Sequence, residues 1–182
     1  MRPARKLPEL AGLILALLAA FADPARAAAS LEYAIKAAYL TKFVPFISWP
    51  PGRLEKPDSP VTICLAGYDP FDGALDQAAR NARVGEHPIA VSHSVGSYDG
   101  CQMVFLPAAD PELAARTLAV LKGQPVVTVT DSGMQPRGII SFLIDANHVR
   151  FDIDEAAADR DGLAISSRLL GLAHAVTARS KP

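Results

Sequence analysis

The sequence predicts one α/β domain: an open sheet, mostly parallel, with flanking helices and a C-terminal antiparallel hairpin. Three observations carry this expectation. Strand-like runs alternate with helical patterns of about ten residues, which is how βαβ units read. Val61 to Ala66, Gln102 to Leu106 and Pro125 to Thr130 are nearly unbroken apolar or β-branched runs, as suits strands covered on both faces. The last two runs, Gly138 to Ile144 and His148 to Ile153, are separated only by Asp145-Ala146-Asn147, which reads as a hairpin with a three-residue loop.

Residues 1–27 are not part of that fold. Arg2, Arg5 and Lys6 make a positive start, Leu10 to Ala22 is an uncharged apolar run of 13 residues, and Ala25-Arg26-Ala27 is a small-residue cleavage site. This is the layout of a secretory signal peptide cut after Ala27. The apolar run is shorter than the roughly 20 residues of a membrane span. No cysteine stands directly after it, and the sequence has no second long apolar segment. Residues 28–182 are therefore expected as one soluble exported domain, periplasmic in a Gram-negative cell. Cleavage removes four basic residues (Arg2, Arg5, Lys6, Arg26) and two acidic ones (Glu9, Asp23), taking the formal net charge from −1 to −3.

The elements follow in order. Ser30 is placed to cap a helix from Leu31 to Val44, in which Leu31, Ile35 and Ala38 keep helical spacing. Pro45 ends or kinks it, and Trp49-Pro50-Pro51 enforces an extended turn. Gly52 to Pro60 is polar and reads as a surface loop. After the first strand, Asp69-Pro70 reads as a cap with proline in the first helical position, opening a helix to about Ala82. His87 to Val91 is the next strand. Asp110-Pro111-Glu112 repeats the helix start, and that helix stops near Lys122-Gly123. In the second arm of the hairpin Val149, Phe151 and Ile153 face one way, and His148, Arg150 and Asp152 the other. Asp154 to Asp161 is a short alanine-rich helix ended by Gly162. Ser166 or Ser167 caps a last helix with Ile165, Leu169, Leu172 and Val176 on one face.

Composition excludes several function classes. Half of the residues are hydrophobic and 20% are charged, which is ordinary for a globular chain and unlike a disordered or collagenous one. There is no basic footprint, so no nucleic acid is expected as a partner. The Gly67 to Gly73 turn has neither the spacing of a dinucleotide fingerprint nor a Gly-Lys-Ser/Thr. Leu106-Pro107 stands where a receiver domain would carry its phosphorylated aspartate. His87, His93, His148 and His174 are scattered singly, so no metal ligand set is expected, and no nucleophile elbow is present. Nothing in the spacing brings two carboxylates together. Catalytic residues and cofactors are accordingly expected to be absent, leaving a binding or interaction domain.

Cys64 and Cys101 are the two cysteines, and an exported chain with two cysteines is expected to pair them. Two further features stand out. Tyr33, Lys36, Tyr39, Lys42, Phe43, Phe46 and Trp49 crowd the first helix and its exit; such a stripe is core first, but it is rich enough for part of it to cover a partner. Arg150 and Arg168 flank the C-terminal elements. On one concave face they would suit a carboxylate or phosphate, and otherwise they are solvated.

The segments Glu32 to Leu40, Phe43, Ser48-Trp49-Pro50, Cys64-Leu65-Ala66-Gly67, Asp69-Pro70-Phe71, Cys101, Val127 to Asp131, Gly138 to Phe142, Val149 to Ile153, Gly162 to Leu170 and Leu172-Ala173 together resemble the YfiR-like (HmsC-like) periplasmic proteins. The resemblance spans about Tyr33 to Val176. It implies regulation: binding to the periplasmic sensor region of an inner-membrane diguanylate cyclase, which is held inactive, so that cyclic di-GMP and biofilm exopolysaccharide stay low. It also implies relief by redox state or by an outer-membrane lipoprotein, a homodimer, and a small-ligand pocket. Some relatives carry a second cysteine pair near the C-terminal strands. Here Ser132 to Gly138 fills that turn without cysteine, so only Cys64 and Cys101 could serve redox control. The contact residues expected for a partner or ligand are Tyr33, Lys36, Trp49, Arg150, Phe151, Ile165 and Arg168. The alternative is a periplasmic small-molecule-binding protein with no cyclase partner, its pocket at the C-terminal strand edge, at a switch point of the sheet.

Overall fold

The computed structural model describes residues 24–179 apart from 55, 57, 94 and 95; the charged start and apolar run of the expected signal peptide lie outside the described residues. In chain order the elements are α1 (Pro24–Phe43), a 3₁₀ turn (Val44–Phe46), β1 (Ile47–Ser48), β2 (Val61–Leu65), α2 (Ala74–Ala79), β3 (Arg83–Val84), β4 (His87–Ser92), β5 (Met103–Leu106) and α3 (Pro111–Leu121). They continue with β6 (Val127–Thr130), β7 (Ile140–Asp145), β8 (His148–Asp154), α4 (Glu155–Arg160), β9 (Ala164–Ile165), α5 (Ser167–Leu170) and β10 (Ala175–Thr177).

Eight strands form one sheet in the order β10-β8-β7-β6-β5-β2-β4-β3. The pairs β2–β4, β2–β5, β5–β6, β6–β7 and β8–β10 are parallel; β7–β8 and β3–β4 are antiparallel. The mixed α/β architecture is therefore as expected. β5 and β6 are buried at every position, which accounts for their unbroken apolar runs, whereas β8 alternates buried and open residues. The chain leaves β2 toward β4 on one side, then crosses to β5 on the other. The switch point lies between β2 and β5, inside the sheet and not at the C-terminal edge.

Two cores cover the two faces. On one, Ala37, Leu40 and Phe43 of α1 and Leu75 of α2 pack on Ile63, Leu65, Phe105, Val129, Phe142 and Phe151. Phe43 lies edge-on to Phe151 at 4.8 Å between ring centroids, and Tyr39 meets the same ring at 5.6 Å. On the other, Ala114 and Leu121 of α3 pack on Cys64, Val104, Leu106 and Val126. The aromatic stripe of α1 thus finds its partners within the chain, because β7 and β8 each supply a phenylalanine.

Local signals decide several boundaries. The Asp110 carboxylate accepts from the Leu113 N–H and caps α3, as expected, and Asp154 caps α4 through the Ala157 N–H. Ser166 accepts from the Arg168 N–H at the start of α5. Ser30, by contrast, lies inside α1, which begins at Pro24. Asp69-Pro70 does not open a helix. Its carboxylate accepts from the Phe71 N–H, and the chain dips to bury Phe71 between Tyr33 and Phe105 before α2 starts behind Gly73. The hairpin loop is two residues, Ala146 and Asn147, both left-handed, as the twist of a tight hairpin requires. The last helix is one turn. Val176 belongs to β10, which pairs with β8 and makes it an inner strand. β4 forms where His87 to Val91 was expected, whereas β3, which pairs with it, and the β1–β9 pair, with Ile47 opposite Ile165, are not legible as strands in the sequence.

The parallel crossover from β6 to β7 has no helix. Side chains replace part of its ladder: the Thr128 hydroxyl accepts from the Ile139 N–H, and the Thr130 hydroxyl accepts from the Gly138 N–H and donates to Ser141. Gly138 is required there, since a Cβ would stand 2.6 Å from the Thr128 carbonyl oxygen.

Candidate functional site

In open α/β sheets the ligand crevice lies at the carboxyl ends of the strands, at the switch point. Here that crevice is filled by the chain itself. Lys36, one turn after Glu32 on α1, is completely buried and pairs with the carboxylates of Glu32 and Asp131. Asp131 follows β6 directly and is buried too. It also accepts from the Tyr33 hydroxyl at 2.7 Å, from the Ser132 N–H at 2.8 Å and from the Ala108 N–H at 3.4 Å. The Tyr33 ring leans edge-on against Phe71, so this one side chain reaches from the loop after β2 to the end of β6. Burial, the hydrogen bond to Asp131 and the nearby negative charges push the Tyr33 phenol well above its ordinary value. Leu113 closes the crevice from the α3 side, where a Cβ on Gly67 would meet its Cδ2 at 2.9 Å.

Chemically this cluster is a clamp. Its cation is sealed between two carboxylates, and the acceptors of Asp131 are occupied by four donors. The sequence offered no sign of it, because Asp131 is 95 residues from Lys36 and only the β6 register brings them together.

The structure distributes the remaining expected contact residues. Phe151 and Ile165 are buried in the core. Trp49 is half-buried, donates to the Gln102 carbonyl at 3.2 Å, and lines a shallow cavity of about 260 Å³ with Pro50, Pro51, Leu54 and Val84. Arg150 and Arg168 are both exposed. Arg150 alternates with Phe151 and so points to the opposite sheet face, whereas Arg168 rides on α5, whose Leu169 joins the Phe151 core. The two arginines therefore do not share one concave face.

Among the described residues, apolar side chains stay open in two places, besides the single exposed Tyr68 and Val120. Leu172, at 68% exposed, and Val176 lie in the C-terminal segment near Arg168. Leu31, Ile35 and Ile144 are exposed along a groove of about 510 Å³ between α1 and the β7–β8 hairpin, floored by Tyr39 and Val149. Cys64 and Cys101 form the expected disulfide, with 5.9 Å between Cα atoms, buried beneath α3. Contrary to the sequence expectation, carboxylates do converge, around Lys36 and again where Asp69 and Asp76 flank His93.

The model of the YfiR/HmsC-like family matches residues 33–174, close to the span in which the sequence resembles it. No curated protein matches the chain.

Proposed function

Because the chain belongs to the YfiR/HmsC-like family over residues 33–174, we propose that it is a periplasmic regulator that binds the periplasmic region of a membrane diguanylate cyclase and holds it inactive. That family membership is the observation that carries the reading. Family members are regulators and not enzymes, and the plugged crevice agrees with that role. No described helix is long and apolar enough to cross a membrane. Residues 1–27 act as the export signal. Ala27 to Ser30, on either side of the expected cut after Ala27, are exposed on α1.

A periplasmic domain can influence a cytoplasmic active site only by binding two conformations of the receptor unequally. Its contact surface is the C-terminal edge of the sheet. β10 is the outermost strand, with Val176 on the sheet face of its partner Ile153 and Arg150 of β8 on the other, and Arg168 and Leu172 are exposed in the segment that leads into it. A partner gripping the edge touches both faces at once. Homodimer formation and relief by an outer-membrane lipoprotein belong to the same reading.

The test is cellular cyclic di-GMP after deletion and restoration of the gene. Deletion should raise it. The exported protein should restore the low level, whereas a chain lacking residues 1–27, or an exported Arg150→Glu/Arg168→Glu variant at equal abundance, should not. An unchanged level on deletion, with a cognate cyclase expressed, overturns the reading. The groove of Leu31, Ile35 and Ile144 then favours the second reading, a small-molecule-binding protein without a cyclase partner.

A further inference from the structure

Asp69, Asp76 and His93 come from three segments: the loop after β2, the first turn of α2 and the residue following β4. Asp69 Oδ2 stands 3.6 Å from His93 Nδ1, and Asp76 Oδ2 stands 3.6 Å from His93 Nε2. Both separations are too long for a hydrogen bond. One donor atom from each residue lies within 4.8 Å of the other two. Three ligands of a single zinc-sized ion, each about 2.0–2.2 Å from it, sit about 3.3–3.8 Å from one another. A closure of about 1–1.5 Å, with one His93 nitrogen turned toward both carboxylates, brings the three into range, and these side chains are partly or well exposed, so they can supply it. Asp69 is already oriented for this, because its other oxygen accepts from the Phe71 N–H at 2.8 Å.

We propose that Asp69, Asp76 and His93 bind a divalent transition ion, tying α2 to the end of β4. The donor set points to the class. One imidazole and two carboxylates suit zinc and its neighbours, whereas calcium takes six to eight oxygens and cuprous copper takes sulfur. The remaining coordination position is left to water. The site lies at the carboxyl ends of β2 and β4, beside the crevice that Lys36 fills, and it is independent of the regulatory reading above.

The experiment uses the untagged exported chain, stripped with a chelator and titrated with zinc by calorimetry, with cobalt as a spectroscopic stand-in. One zinc per chain is expected, with a rise in Tm and the visible absorption of low-symmetry cobalt. His93→Ala, at an exposed position, and Asp76→Asn, at a half-buried one, should each weaken binding by about tenfold or more and remove the Tm rise. Absence of binding overturns the proposal. So does binding that both variants retain, since the ion would then sit elsewhere, for instance at His148 or His174. A Tm that zinc leaves unmoved overturns it as well.

Discussion

Tyr33 and Asp131, 98 residues apart in the chain, meet through a hydrogen bond of 2.7 Å at the end of the sheet where this architecture ordinarily admits a ligand. With Lys36 beside them, they fasten α1 across the switch point. The same helix turns Tyr39 and Phe43 onto Phe142 and Phe151, so a single element both seals the crevice and covers the C-terminal strands.

Replacing Tyr33 by phenylalanine leaves the ring on Phe71 and removes the donor to Asp131. The loss should be roughly 1–3 kcal/mol at neutral pH. The pH dependence distinguishes this bond from simple packing. The phenol is held above its ordinary value in the folded state, so its contribution is complete below about pH 10 and falls as the pH rises further. Urea unfolding of both proteins at pH 7 and in the alkaline range should show the wild-type advantage shrinking at high pH. A constant gap would mean that the hydroxyl is not held by Asp131.

Lys36→Met should be more severe, because it leaves a buried Asp131 carboxylate without its cation. Breaking one half of a buried pair costs about 3–5 kcal/mol. Asp131→Asn, which leaves the ammonium with Glu32 alone, should be of similar size. The double variant, lacking both charges, should be no worse than either single one. The coupling is read from a double-mutant cycle of denaturant midpoints. Additive losses would show that the two residues act independently.

The legible and illegible parts of this molecule divide on physical lines. β2, β5, β6 and α3 were readable because their signals are local: unbroken burial on both faces, and the Asp110-Pro111 start. Strands of two residues, such as β1 and β9, carry no periodicity of their own and exist because Ile47 and Ile165 share one core. α2 was placed too early because a cap signal at Asp69 cannot report that Phe71 must first be buried. β10 looked like helix because Leu169, Leu172 and Val176 keep helical spacing, while the unpaired edge of β8 takes the last of them into the sheet. The Lys36 and His93 clusters depend wholly on strand register, which spacing along the chain does not encode.

The Cys64–Cys101 bridge ties β2 to the entrance of β5, closing a loop of 37 residues. Cys64→Ala/Cys101→Ala should lose about 4 kcal/mol if the bridge acts by restricting the unfolded chain. For a domain of this size that corresponds to roughly 8–16 °C in Tm. The variant should keep its far-ultraviolet spectrum, since β2 and β5 remain joined by their own ladder. A loss of secondary structure would assign the bridge to the native fold itself and not to the unfolded state.

Ala146 offers a change in the opposite direction. It opens the two-residue turn between β7 and β8 at φ 45°, and Asn147 follows at φ 62°. Asparagine tolerates that region, but alanine has no side-chain group to compensate for its Cβ there. The turn type is nonetheless required, because its twist matches the six-residue register from Ile140–Ile153 to Asp145–His148. Ala146→Gly relieves the steric conflict while making the unfolded chain more flexible, and the first effect is the larger, about 1–2 kcal/mol against about 0.5–1. A net gain of up to about 1 kcal/mol, seen as a higher midpoint in urea with an unchanged slope, is the expected outcome. A loss would show that this turn relaxes away from the left-handed conformation in solution.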